Sequence, residues 1–272
     1  MYDNYLDESF IHNNYKLQHD SLYHPDDATC IPPKERHKGE RLCFVAAIIA
    51  SGPTTGKFLG FQIFTGGTRQ PKDYHAMFTH DFFVDWFADL LDEIESMNLH
   101  GVIFAMDNAK CHKGLPDGTP KATWKKPQLL DTCRRLGVDG AVAASKTYVD
   151  RNIEPDVVQM AREHGHIVAS TPPYHSDLQP IEMVWAWVKG RVVRQYSTST
   201  TLANVRLRLD AAFDALPSLV IYNCIRHTDT KVTAMYEYLE ALDMADDDAG
   251  QASSSSAISE KKSVLDSLAT VK

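Results

Sequence analysis

The sequence predicts an α/β or α+β domain, a mixed sheet flanked by helices. Three observations carry that reading. Two short apolar runs are joined by a Gly/Pro turn, an amphipathic helix follows, and a further apolar run ends at an aspartate. The 272 residues are 43% apolar and 24% charged, proportions of a globular chain long enough for a substantial core.

The elements follow in order. Tyr2 to Leu6 is expected as a short first strand. Arg41 to Ala50 (RLCFVAAIIA) is apolar and bounded by Gly39 and by Ser51-Gly52-Pro53, which reads as a buried strand. Lys57 to Thr65 is its hairpin partner, reached through the Gly52 to Gly56 loop. His75 to Asn98 reads as a helix. Phe78, Phe82, Trp86, Leu90, Ile94 and Met97 recur at three- and four-residue spacing, and acidic residues without basic ones cover the rest. Gly101 to Met106 is a buried strand running into Asp107. Helices are expected over Pro127 to Leu136 and Pro155 to His164, and a brief strand over Ile167 to Ser170. Pro180 suits the first position of a helix reaching about Tyr196. Two more helices cover roughly Leu202 to Ala215 and Ser218 to Leu242. The Asp-, Ser- and Ala-rich residues 243–272 read as a disordered tail.

Several classes are excluded or disfavoured. The longest apolar stretch, Leu42 to Ala50, is too short to span a bilayer. The opening residues lack a basic-then-apolar leader, so neither secretion nor membrane anchoring is expected. The five cysteines, Cys30, Cys43, Cys111, Cys133 and Cys224, are odd in number and include no Cys-x-x-Cys pair, which points to a reducing compartment. Cys111 and His112 with His164 and His166 do not have the spacing of a compact zinc module.

Three carboxylates stand in positions suited to chemistry. Asp7 follows the first expected strand, Asp107 ends a buried strand, and Glu182 falls in the first turn behind Pro180. Strand C-terminal ends are where sites are built in open sheets, and a helix N-terminus favours an ionised carboxylate. Carboxylates gathered together need cations, and magnesium or manganese accepts such oxygen ligands. Two ions about 3.5–4 Å apart can clamp the attacking and leaving oxygens of a phosphodiester. Each residue also has a plainer role open to it. Asp107 suits a strand-end cap, Glu182 an ordinary first-turn acid, and Asp7 a terminal acid; Glu8 is the neighbouring alternative, on the opposite strand face.

Leu6-Asp7-Glu8-Ser9, then Met106-Asp107-Asn108-Ala109 with His112, then Thr171 to Trp185 (TPPYHSDLQPIEMVW) with Lys189 resemble the three motif blocks of mariner-type DDE-superfamily transposases. The third block is the most specific. The resemblance implies a ribonuclease H-like fold with a central mixed five-stranded sheet. It also implies a catalytic and metal-binding triad of Asp7, Asp107 and Glu182, and two Mg2+ or Mn2+ ions. The implied activity is DNA cleavage and strand transfer on transposon ends and target DNA, by a homodimer for which the sequence shows no interface signature. No membrane and no small-molecule cofactor is implied, and the expected location is the nucleus in a eukaryote, otherwise cytoplasm or nucleoid. Asn108, His112 and Asp177 are expected around the triad. His112 suits either a phosphate or metal-water contact or a structural role, and Asp177 either holds the Pro-rich loop or caps the helix.

The chain departs from the commoner members in two ways. The 74 residues between Asp107 and Glu182 exceed theirs, so a helical insertion is expected at about residues 114–165 of a catalytic domain spanning residues 1–242. The family's N-terminal helix-turn-helix is not found, so a catalytic domain without its end-reading module is expected. A truncated or domesticated DNA- or protein-binding module, and another ribonuclease H-like nuclease, are the alternative readings.

The net charge of −8 conceals a polarised chain. Lys110 to Arg151 holds nine basic and four acidic residues, and Lys189 to Arg208 five basic and none acidic. Lys110, Lys113, Lys125, Lys126, Lys189, Arg191 and Arg194 are therefore the expected DNA contacts. Lys189, seven residues after Glu182, shares its helix stripe and suits either a DNA-backbone contact near the metals or a solvated side chain. Trp185 and Trp187 are expected in core packing.

Overall fold

The computed structural model describes residues 2–13, 40–65, 78–121, 123–135, 149, 151–172, 175–197 and 199–269. Pro173 and Tyr174 of the third motif block, Cys30, and the first three residues of the expected His75 helix lie outside them.

A five-stranded sheet has the order β3-β2-β1-β4-β5. The strands are β1 (Tyr2–His12), β2 (Arg41–Gly52), β3 (Thr55–Thr65), β4 (Val102–Met106) and β5 (Ile167–Ser170). β1 to β3 form an antiparallel meander, and β4 and β5 add in parallel beyond β1. This is the mixed sheet of a ribonuclease H-like fold.

β2 is covered on both faces, which is why its sequence is an unbroken apolar run. Cys43, Val45, Ala47 and Ile49 enter one core, and Leu42, Phe44, Ala46 and Ile48 the other. The first core is closed by α1 (His80–Ser96) and α3 (Asp156–Glu163), the second by α4 (Pro180–Val193) and α5 (Leu202–Asp214). Helix α2 spans Lys126–Arg135. α1 buries Phe83, Trp86, Phe87, Leu90, Leu91 and Ile94, and Thr79 caps it by accepting from the Phe82 N–H.

The segment expected as an insertion includes α3, which also supplies the crossover that two parallel strands require. Val157 and Ala161 of α3 are fully buried in the first core.

One distortion marks the hairpin. Val45 pairs with Gln62 and Ala47 with Leu59, so Gly60 and Phe61 together oppose Ala46. Gly60 has φ 57, the left-handed conformation that a bulge of this kind assigns to glycine. Its N–H donates to Glu93 Oε2 at 2.7 Å and its carbonyl accepts from Trp86 Nε1, which fastens the bulge to α1.

Helix α6 runs from Ser218 through the expected end at Leu242 to Ala269. The chain divides into two compact units after Ile225, the second holding the rest of α6. Among the described residues no helix is long and apolar enough to cross a membrane.

Candidate active site

β1 reaches His12, well past the strand expected from its apolar residues. Asp7, Glu8 and Ser9 therefore lie within a central strand. The parallel register ends with Tyr5 opposite Ala105; Asp7 lies two residues further along β1, and Asp107 directly follows the end of β4. Adjacent strands lie about 4.8 Å apart, so the fold brings these two acids to the same end of neighbouring strands.

Asp7 faces α4. Trp185 Nε1 donates to its Oδ2 at 2.9 Å. Burial, and then the carboxylates of Glu8, Glu182 and Asp107, push the Asp7 carboxyl well above the usual carboxylate range, against the Trp185 hydrogen bond. Asp107 and Glu182, like Glu8, thus each oppose the charge of Asp7.

Asp107 follows β4. Its Oδ1 accepts from the Ala109 N–H at 2.8 Å, an Asx turn that leads the chain into a short 3-10 helix, Cys111–Lys113. Asn108 Nδ2 donates to the Thr171 carbonyl at 2.7 Å, and the Thr171 N–H to the Met106 carbonyl at 2.9 Å. The loops after β4 and β5 are locked together in this way. Beyond them Pro180 opens α4, and Glu182 stands exposed in its first turn.

Lys189, two turns along α4, points inward. Its Nζ donates to Ser9 Oγ at 2.9 Å. Burial lowers its pKa, and Glu182 and Asp7 pull it back up. It is a cation of the acidic cluster more than of the surface.

The remaining expected residues are spread around this centre. Asp177 lies in a 3-10 turn ahead of α4, with its Oδ1 3.7 Å from His175 Nδ1. Lys110, Lys113, Lys125, Lys126, Arg191 and Arg194 are exposed. The Arg191 guanidinium lies 4.1 Å from the centre of the Trp187 ring.

His112 is 3% exposed and bridges two acids. Its Nε2 is 2.8 Å from Glu8 Oε1, and its Nδ1 is 3.1 Å from both Asp107 Oδ1 and the Asp107 carbonyl. Burial works against its charge, but Glu8 and the hydrogen bonds with Asp107, Cys111 and Glu8 raise its pKa well above that of a free imidazole. An imidazolium satisfies both acceptors. Glu8, Cys111 and His112 are also the described side chains whose ligand atoms all lie within 4.8 Å of one another. The Glu8–His112 ion pair accounts for that closeness.

The oxygen-only donors Asp7, Asp107 and Glu182 suit hard divalent cations. Their ligand atoms do not, however, all lie within 4.8 Å of one another, as those of Glu8, Cys111 and His112 do. Trp185 packs in the second core, as expected, and its Nε1 also donates to Asp7. Glu8 is the neighbouring acid on the other face of β1. It reaches the site through His112.

The chain is similar, at TM-scores below 0.5, to solved structures. The Mos1 transposase paired-end complex with left transposon end matches with a TM-score of 0.48 at 15% identity, covering 83% of this chain and 52% of that one. The Mos1 mariner paired end complex with Mn matches at 0.48 and 14%, covering 85% and 55%. The catalytic domain of Mos1 mariner transposase matches at 0.39 and 15%, covering 85% and 81%. The chain spans about half the length of the two complexed transposase chains. No protein-family model and no curated protein sequence matches it.

Proposed function

We propose that this chain is a metal-dependent DNA nuclease and strand transferase, the catalytic domain of a mariner-like transposase. The observation that supports the reading is that Asp107, after β4, and Glu182, in the first turn of α4, both act on the charge of Asp7 on β1. The three motif blocks in which these acids stand support the same reading.

Asp7, Asp107 and Glu182 would hold two Mg2+ or Mn2+ ions, which supply activation of the attacking oxygen and charge neutralisation at the leaving one. The chain's own residues do the rest. Trp185 holds the Asp7 carboxylate by a hydrogen bond from its Nε1. The Ala109 N–H and His112 fix Asp107. Lys189 offsets the negative charge and stands where a phosphate near Asp7 and Glu182 would be drawn. The exposed Lys110, Lys113, Lys125, Lys126, Arg191 and Arg194 bind the DNA backbone. Hydrolysis of a phosphodiester would leave a 3′-hydroxyl, and attack by that hydroxyl on a target phosphodiester would join the strands.

A nicking assay on duplex DNA with Mg2+ or Mn2+ tests the reading. Cleavage is expected from the unaltered chain, and a loss of at least a hundredfold from Asp107→Asn. Undiminished cleavage by that variant would overturn the assignment. Faster cleavage of RNA–DNA hybrid or branched DNA than of duplex would move the chain to another ribonuclease H-like nuclease class.

A further inference from the structure

Asp7 and Glu8 are neighbours on β1 that serve opposite faces of the sheet. Leu6 and Phe10 share the Glu8 face and pack in the first core with α1. In this surrounding Glu8 is only 9% exposed. A carboxylate there is costly unless it is paired. The pairing is complete: His112 Nε2 at 2.8 Å and the Cys111 thiol, which donates from 3.7 Å, both meet Glu8 Oε1. The His112 ring is held in turn against Phe83, centroid to centroid 4.2 Å.

A buried ion pair is weak evidence for stability, because apolar groups of similar volume do as well or better. The far side of the imidazole suggests another use for this one. His112 Nδ1 lies 3.1 Å from Asp107 Oδ1, the same oxygen that accepts the Ala109 N–H. Asp107 is about half-exposed, with side-chain exposure of 47%, and a carboxylate so placed turns freely unless held. The His112 N–H is shared between this oxygen and the Asp107 carbonyl, also 3.1 Å away, and together with the Ala109 N–H it restricts the rotation of the carboxylate and therefore the direction of the other oxygen.

We propose that Glu8 and His112 are a positioning pair, built into the apolar side of the sheet, that orients the Asp107 carboxylate for metal binding on the other side. The pair anchors Asp107 to β1, the strand that carries Asp7, so one strand sets both acids. This rests on Asp107 being a metal ligand, as proposed above. Outer residues that orient a ligand typically change metal affinity 10–100-fold when removed.

The test is a Mn2+ titration of the full chain by calorimetry, with circular dichroism confirming the fold of each variant. Absence of saturable Mn2+ binding by the unaltered chain would overturn the metal reading itself. Given binding, His112→Gln keeps an amide near Glu8 but loses the reach to Asp107, and should weaken Mn2+ about tenfold or more. His112→Asn places its amide where Nδ1 stood and should restore most of that loss, although it abandons Glu8. A purely structural role would not rank the two variants this way. Equal weakening by both, or His112→Gln binding within twofold of the unaltered chain, would refute the proposal. Should His112→Gln fail to fold, Glu8→Gln carries the test: it keeps a hydrogen bond to His112 without the charge. Weakening of several-fold is expected from it, and unchanged affinity would refute the pair.

Discussion

Replacing Asp7 by Asn should stabilise the metal-free protein while abolishing its response to metal. Asp7 is pressed by its burial and by the carboxylates of Glu8, Glu182 and Asp107. Two unit charges roughly 6 Å apart at an effective dielectric near 20 repel by about 3 kcal/mol. Lys189 and the Trp185 N–H return part of that cost. Asn has the same shape, keeps an oxygen for Trp185, and turns its amide toward the acids. A net gain of about 1–2 kcal/mol follows, which at roughly 2–4 °C per kcal/mol raises the melting temperature by about 2–8 °C. The pH dependence has a fixed sign. The folded state holds the Asp7 proton more tightly than the unfolded chain, so this group's contribution falls as pH rises above the ordinary Asp range, until the raised folded pKa is passed. Asp7→Asn lacks that slope. Differential scanning fluorimetry with a chelator, and again with Mn2+, reads both effects. At one hundred times its dissociation constant Mn2+ should stabilise the unaltered chain by about 2.7 kcal/mol and the variant little. A variant that melts at or below the unaltered chain in chelator, or gains as much from Mn2+, would refute the reasoning.

Other outcomes are expected elsewhere in the molecule. Gly60→Ala places a Cβ 3.1 Å from the Trp86 ring at a φ of 57, and should cost about 1–2 kcal/mol or more by denaturant unfolding. His80, with Nε2 2.8 Å from Asp156 Oδ2, ties the start of α1 to the start of α3. Burial opposes its charge, but its hydrogen bonds with the Cys111 carbonyl and Asp156 and the charges of Asp156 and Asp81 raise its pKa. Its contribution should be full below the unfolded histidine pKa and fade as pH rises through the folded one, a slope that His80→Asn removes from thermal melts. DNA affinity should fall steeply between low and moderate salt. Charge reversal at Lys125 and Lys126 should flatten that slope by about two units if each meets a phosphate; a slope unchanged by the double variant would dismiss them as contacts.

The regular parts of the fold were legible because their burial repeats. β2 is apolar throughout because both its faces are covered, and α1 shows its stripe because one face is. β1 extends beyond the expected Tyr2 to Leu6 because Asp7, Glu8 and Ser9 interrupt its apolar run without ending the strand. Asp107 after a buried strand and Glu182 behind Pro180 were legible as positions in the fold, whereas Asp7, expected after a short first strand, lies within β1. The part played by Glu8 was not legible, since alternation on a strand reveals which face a residue takes but not which loop returns to meet it. The 3-10 turn that carries His112 back to Glu8 depends on an Asx turn at Asp107, and no periodicity announces it. The length of α6 was hidden by a composition rich in Asp, Ser and Ala, which carries no amphipathic signal.

The alternation along β1 also determines which genetic changes this protein can tolerate. Odd positions Tyr5, Asp7 and Ser9 serve the α4 side, and even positions Leu6, Glu8 and Phe10 the α1 side. Gain of one codon upstream of Asp7 within the strand would offer Asp7 to His112 and set Leu6 against Trp185, and loss of one would offer Glu8 to Trp185 and set Ser9 against His112. Either way one of the two places loses its acid, the remaining acid reaches wrongly by a methylene, and the apolar neighbours change faces. Substitutions in β1 can be weighed one at a time; single-codon insertions and deletions there act on the whole strand at once.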